Sequence, residues 1–392
     1  MSTVPIPNSC EELLQAMVSF DTVNSHISGK SDAELELSRY LEGLAKALGL
    51  GVHRLPVSGE GFNLLLSYEV APEAAWLLFE SHLDTVSVEA MTIDPFGGHI
   101  EGGRLYGRGA CDTKGSGAAM LWALKRYAES GERANNAAIV YTLDEEITKT
   151  GVRALVEDQL PALGWNIAGA IVGEPTRLRL VVAHNGVVRW RIRTRGLAAH
   201  SSDPAQGRSA IGMMTRVIEA LEKRYIAALD TVHPLTGKAQ CSINMILGGV
   251  QINIIPERCE IHLDRRVVPG ENPAQVQPAV EQVLDELRRL DESLEVVQEQ
   301  PDMVDWPLDP EGGEDFAGFV QGVLKEMGMA ADLEGVGYGT DASSFSRAQV
   351  AAVVLGPGDI AQGHTCDEWI ELDQLHRGVE VYQGLMSTPL KH

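Results

Sequence analysis

AAWLLFESHLD (residues 74–84) is an apolar run of strand length that ends on an imidazole and a carboxylate two positions apart. Two later stretches have the same form, NAAIVYTLDEE (136–146) and IAGAIVGEP (167–175), each an apolar run stopping on acidic residues. Unbroken apolar runs are the mark of strands buried on both faces. LYGRGACDTKG (105–115) is a glycine-rich turn leading into a helical pattern at GAAMLWALKRYAES (117–130), and TGVRALVEDQL (150–160) is a second helical pattern. Strands alternating with helices predict an α/β fold with a mixed, largely parallel sheet sandwiched by helices. Such sheets gather their chemistry at the carboxyl ends of the strands, where these acidic and imidazole residues stand.

Working outward, Ser9 is placed to cap a helix over CEELLQAMVSF, with Glu12 three residues on as a capping box. SDAELELSRYLEGLAKALGL (31–50) predicts another helix, followed by strands at GVHRLPV and FNLLLSYE. The pattern changes near residue 181. VVRWRIRTRG alternates, with Arg189, Arg191, Arg193 and Arg195 on one face of a strand and Val188, Trp190, Ile192 and Thr194 on the other. Two further strands (AQCSINMILGGVQ, ERCEIHLDRRVVP) and two helices (210–229, 272–290) complete a small α+β unit with an open, arginine-lined sheet face. After about residue 293 the α/β pattern resumes. The predicted organisation is a discontinuous catalytic domain, residues 1–180 and 293–392, with residues 181–292 inserted. Charge agrees: residues 181–292 hold 14 Lys and Arg against 13 Asp and Glu, so the remainder, with 18 against 42, carries the acidic excess behind the formal charge of −23.

That negative charge excludes nucleic acid and anionic membrane surfaces as expected partners. No apolar stretch reaches the roughly 18 residues of a membrane span. The opening residues lack a secretory pattern, and five dispersed cysteines form no CxxC pair, so a cytoplasmic, reduced protein is expected.

The chemistry-bearing residues are His82 and Asp84, Asp112, Glu145 and Glu146, Glu174, and His364 in GHTCDE. Imidazoles and carboxylates without thiolate suit a catalytic metal site. His82 and Asp84 share a strand face, so the carboxylate can fix the ring of a ligating histidine. Glu145 and Glu146 are neighbours at a strand end, so one can bind metal while the other stays free for proton transfer. A pair of metals needs a bridging carboxylate and terminal ligands on each ion. Asp112 as bridge, His82 and Glu174 on one ion, and Glu146 and His364 on the other meet that need. A phosphate loop at residues 107–117 lacks the Walker lysine spacing. A thiol hydrolase using Cys111 or Cys366 lacks an orienting partner.

SHLDTV, GRGACDTKG, DEE, GEPT and GHTCDE together resemble the di-zinc amidohydrolase and metallopeptidase family of acetylornithine deacetylase, succinyl-diaminopimelate desuccinylase, aminoacylase and glutamate carboxypeptidase. The resemblance runs from about residue 10 onward. It implies a zinc-peptidase-like fold, two Zn2+ per subunit (Co2+ or Mn2+ as substitutes), Asp112 bridging, Glu145 as general base and a cis Asp112–Thr113 peptide. It further implies that residues 181–292 are a lid and dimerisation domain of a homodimer. GLAAHSSDPAQGRSAI is similar to a segment whose histidine, here His200, steadies the oxyanion. INIIPERCEIHLDRR is similar to a carboxylate-binding segment, here Asn253 and Arg266, with Arg265 the competing choice. YGTDASSF is similar to a pocket loop, here Gly339 and Thr340. LGPGDIAQGHTCDEWIEL is most similar to the acetylornithine deacetylase branch, which implies deacylation of an N-acyl amino acid in arginine biosynthesis. A carboxypeptidase, dipeptidase or desuccinylase would use the same site.

Overall fold

Residues 76–82, 136–142 and 167–172 are central strands of one eight-stranded sheet in the computed structural model, which describes residues 4–390. In chain order the strands are β1 (Gly51–Ser58), β2 (Gly61–Tyr68), β3 (Trp76–His82), β4 (Asn136–Thr142), β5 (Ile167–Val172), β6 (Leu180–His184), β7 (Leu333–Val336) and β8 (Ala352–Val354). In space they run β1-β2-β4-β3-β5-β8-β6-β7. The centre β4-β3-β5-β8 is parallel; β2 and β6 join it antiparallel, and β1 pairs antiparallel with β2. Every residue of β3 and β4 is buried, which is why their sequences do not alternate. Truncating a core ring such as Phe79 would cost roughly 3–5 kcal/mol.

Helices α1 (Cys10–Val18), α2 (Leu35–Ala47), α3 (Lys114–Glu129), α4 (Glu314–Glu326) and α5 (Leu372–Ser387) flank this sheet. α3 packs on β3 and β4 and against α1 and α5. At the start of α1 the Ser9 hydroxyl accepts the Glu12 N–H at 3.2 Å, as expected. The Glu12 carboxylate accepts instead from the Asn8 N–H, at 2.8 Å, one residue earlier than a reciprocal box requires.

The chain packs as two units. The first runs to Val182 and includes Pro310–Glu334 and the chain from Thr340; the second comprises Ala183–Asp309 and Gly335–Gly339. The second unit is built on an antiparallel sheet in which Gly186–Arg195 pairs with Arg258–Val267, which pairs with the edge strand Gln240–Gly248. Helices Ala210–Ala220 and Val276–Leu290 share a core with Trp190, Ile192 and Leu263. Arg189, Arg191 and Arg193 point the other way and pair with acidic residues, Asp264 at 2.8 Å, Asp302 at 2.7 Å and Glu299 at 2.6 Å. The expected break at residue 293 falls inside this unit and is corrected to 309/310. Glu295–Gln298 and Met303–Asp305 both pair with Gly186–Arg195. Strands of four and three residues are too short to show alternation, and only their ladder partner reveals them.

Candidate metal centre

The parallel strands deliver the expected side chains to one place. β3 ends at His82, and the Leu83 N–H bonds to Thr142 O at 3.0 Å, which keeps Asp84 beside the end of β4. Asp112 lies in the loop before α3 and is followed by a cis peptide to Thr113. Past β4 the chain turns sharply: Asp144 and Lys149 are both left-handed (φ 59° and 56°), and the Lys149 N–H bonds to Asp144 O at 2.6 Å. Glu145 and Glu146 sit in that turn, their N–H groups donating to the two carboxylate oxygens of Asp84 at 2.9 and 3.1 Å. β5 leads to Glu174, fixed by the Gly173 N–H to Glu80 O at 2.8 Å. His364 (φ 59°) lies in the loop after β8.

The resulting contacts are close. His82 Nε2 is 3.2 Å from Asp112 Oδ1 and 3.7 Å from Glu174 Oε1. His364 Nε2 is 3.3 Å from Asp112 Oδ2 and 3.1 Å from Glu146. Asp112 therefore turns one oxygen to each histidine. His82 Nδ1 lies 3.0 Å from the carbonyl oxygen of Asp84 and 3.5 Å from its carboxylate, so both groups orient the ring. Donor atoms of His82, Asp112 and Glu146 lie within 4.8 Å of one another, and those of His82, Glu145 and Glu174 do likewise. Glu145 is thus near the cluster as well as Glu146.

Burial and mutual charge set the electrostatics of the cluster. Burial, with the Asp112 charge, pushes the Glu146 carboxyl up to about 7 and Glu174 well above the carboxylate range. Burial opposes protonation of His82, yet the bonds to Asp112 and Asp84 hold its pKa well above the ordinary value. The bond to Glu146 raises His364 to about 9. Crowded carboxylates and proton-hungry imidazoles call for positive charge, and this hard and borderline donor set fits divalent cations. The Cys111 thiol is buried and pushed well above its ordinary range, which disqualifies it as a nucleophile.

Three supporting residues escaped the sequence reading. Glu368, in the same GHTCDE stretch as His364, accepts from the Cys111 and Asp112 N–H groups at 2.8 and 2.9 Å and from Gly109 at 3.0 Å. Arg108 pairs with it. Asn24 donates to both Asp84 and Asp144 at 2.8 Å. Glu368 and Arg108 lay inside motifs already singled out, whereas nothing near Asn24 marks it.

In the second unit His200 and Asn253 are neighbours. Ala199–His200 pairs with Ile254–Ile255, and the Ser201 N–H bonds to Asn253 O at 3.0 Å. Both are exposed, and His200 Nδ1 is 2.7 Å from the Ser202 hydroxyl. Arg265 is buried and pairs with Glu271 at 2.6 Å, while Arg266 is one-third exposed and pairs with Asp264 at 2.7 Å. A side chain at Gly339 would meet Asp305 Oδ2 at 2.8 Å. Thr340, in the first unit, is fully buried, with its hydroxyl accepting from the Ala342 N–H at 3.1 Å.

A parallel-centred sheet with imidazoles and carboxylates clustered at its carboxyl edge defines an α/β protein equipped to bind metal. A profile of peptidase family M20/M25/M40 matches residues 78–388, and the chain belongs to that family of hydrolases. Solved structures share the fold over nearly the whole length. A tripeptidase from Staphylococcus aureus aligns with TM-score 0.77 at 20% identity, covering 96% of this chain and 97% of that one. An M20 family metallo-carboxypeptidase from Sulfolobus solfataricus gives 0.79 at 17%, covering 97% and 99%. A Bacillus subtilis protein described as a dinuclear metal-binding peptidase of the M20 family gives 0.70 at 14%, covering 97% and 98%. Among the described residues no helix is long and apolar enough to cross a membrane.

Proposed function

We propose that this protein hydrolyses the amide bond of a small N-acyl amino acid, an activity like that of acetylornithine deacetylase, with two divalent metal ions, zinc first. The observation that carries the reading is Asp112, one carboxylate oxygen toward His82 and the other toward His364. Asp112 would bridge, with His82 and Glu174 on one side and Glu146 and His364 on the other. Metal bound there supplies Lewis acidity toward water and the substrate carbonyl at neutral pH. Asp84 orients the His82 ring. Glu145 accepts the proton of the attacking water and returns it to the leaving amine nitrogen, so one carboxylate serves as base and then acid. His200 donates to the developing oxyanion, in the partner subunit's site. Asn253 and Arg266 hold the substrate carboxylate, which aligns the amide with Glu145. Arg265 is committed to Glu271 inside the second unit, which favours Arg266 for that task. Gly339, where an added side chain would crowd the Asp305 carboxylate, and Thr340 border the substrate.

The inserted segment is proposed to form a homodimer, supported by the exposed apolar residues Met245, Ile246 and Leu247 on its edge strand. The protein is read as cytoplasmic. A second reading, cleavage of a di- or tripeptide, is favoured by the peptidase descriptions of the structural neighbours. Zinc-loaded protein assayed against N-acetyl, N-succinyl and dipeptide substrates tests both. Turnover of an N-acetyl amino acid above the others is expected; cleavage of dipeptides alone replaces the first reading with the second, and no turnover of any overturns both.

A further inference from the structure

Lys149 is neither a proposed ligand nor the proposed base, yet its ammonium lies 3.0 Å from Glu145 Oε1 and 3.7 Å from Asp341 Oδ1. Its side chain is almost wholly buried. A lysine is seldom buried without an anion to answer it. Asp341 is fully buried too, and neither of its carboxylate oxygens has a hydrogen-bond partner. The backbone carries a matching cost. Lys149 holds φ 56°, a left-handed conformation that is unfavourable for a residue with a Cβ. Glycine or asparagine would meet that backbone demand more easily, but neither reaches Glu145 with a cation.

Glu145 itself needs such a hold. Its N–H is fixed by Asp84, but that bond places only the backbone, leaving the torsions of the side chain free. Glu145 is also close enough to His82 and Glu174 to share their grouping. A carboxylate meant for proton transfer must be held in one orientation there. An ammonium 3.0 Å from it, near a second buried carboxylate, supplies the restraint.

We propose that Lys149, anchored by Asp341, is the positioning residue that fixes the Glu145 carboxylate in one orientation beside the ligand grouping, aimed at the attacking water. The proposal rests on the hydrolase reading above, with Glu145 as proton acceptor. The sequence DEEITK gave no sign of it, because the turn folds the lysine back over the glutamate four residues earlier.

The test compares zinc-loaded wild type with Lys149→Met, Lys149→Arg and the double variant Lys149→Met/Asp341→Asn, which removes both buried charges and guards against misfolding. On a substrate that wild type cleaves, kcat should fall about 100-fold in the methionine variants, the scale of an ångström of misplacement. KM and zinc per subunit, the latter by elemental analysis, should stay within about twofold, and arginine should restore part of kcat. Crystal structures of the metal-free double variant should show the Glu145 carboxylate displaced while His82, Asp112 and Glu174 stay in place. Undiminished kcat in the double variant, or loss of zinc in step with activity, overturns the proposal. A wild type that cleaves nothing would refute the hydrolase reading instead, and the Glu145 position in the crystals would still judge Lys149.

Discussion

Arg108 donates through Nη1 to Glu368 Oε2 at 2.8 Å, and both side chains are almost wholly buried (3% and 1% exposed). Nη2 of the same guanidinium donates to Ser87 O at 2.9 Å and Thr365 O at 3.1 Å. With Glu368 capping the Gly109, Cys111 and Asp112 N–H groups, one ion pair ties the loop of Asp112 to the loop of His364. Glu368→Ala would leave a buried guanidinium and three N–H groups without their anion. A loss of about 3–5 kcal/mol is expected by denaturant titration, with weaker metal binding. A stability within 1 kcal/mol of wild type would show the pair to be incidental.

Metal should stabilise the fold, because the cluster is strained by its own charge. Zinc at about 1,000 times its Kd should add roughly 4 kcal/mol, seen as a higher melting temperature that a chelator reverses. Superimposable melts with and without chelator would count against a metal centre at these residues.

Glu145→Gln should reduce kcat by about 10²–10⁴-fold while zinc content is unchanged. Glu146→Gln should lower both. The opposite assignment, metal lost with Glu145 and retained with Glu146, would exchange their roles, and the proximity of Glu145 to His82 and Glu174 makes the comparison informative.

Outside the cluster, burial lifts the Glu34 carboxyl from its ordinary 4.5 to about 7, with help from Asp84 and Asp144. Between those values the folded chain keeps a proton that the unfolded chain has released. Stability contributed by this group is therefore complete below pH 4.5 and is lost as pH rises through about 7. The loss amounts to about 3 kcal/mol at most. Glu34→Gln should make the unfolding midpoint of metal-free protein fall less between pH 5 and 7.5 than wild type does. Parallel pH profiles for the two proteins would exclude the effect.

Arg266→Met should raise KM well above tenfold for a substrate bearing a free carboxylate and change kcat less. Arg265→Met should instead lower stability, because Glu271 loses its buried partner. Kinetics and melts on both variants check the division; a KM effect confined to Arg265 would reverse it.

The sequence by itself determined the central strands, because their burial on both faces requires unbroken apolar runs, and it marked the residues at their carboxyl ends. Lying 282 residues apart in the chain, His82 and His364 could be listed together only through their chemistry. What brings each within 3.3 Å of Asp112 is the parallel order of β4, β3, β5 and β8 together with the Arg108–Glu368 tie. Tertiary structure alone decided the rest. The strands of residues 295–298 and 303–305 take their identity from a ladder partner a hundred residues earlier, so local pattern could not place the domain break. Asn24, Glu368 and Lys149 act through hydrogen bonds and ion pairs, which leave no periodicity in a sequence. Local propensity and burial are written residue by residue, whereas a polar contact is a relation between two places that only the folded chain makes adjacent.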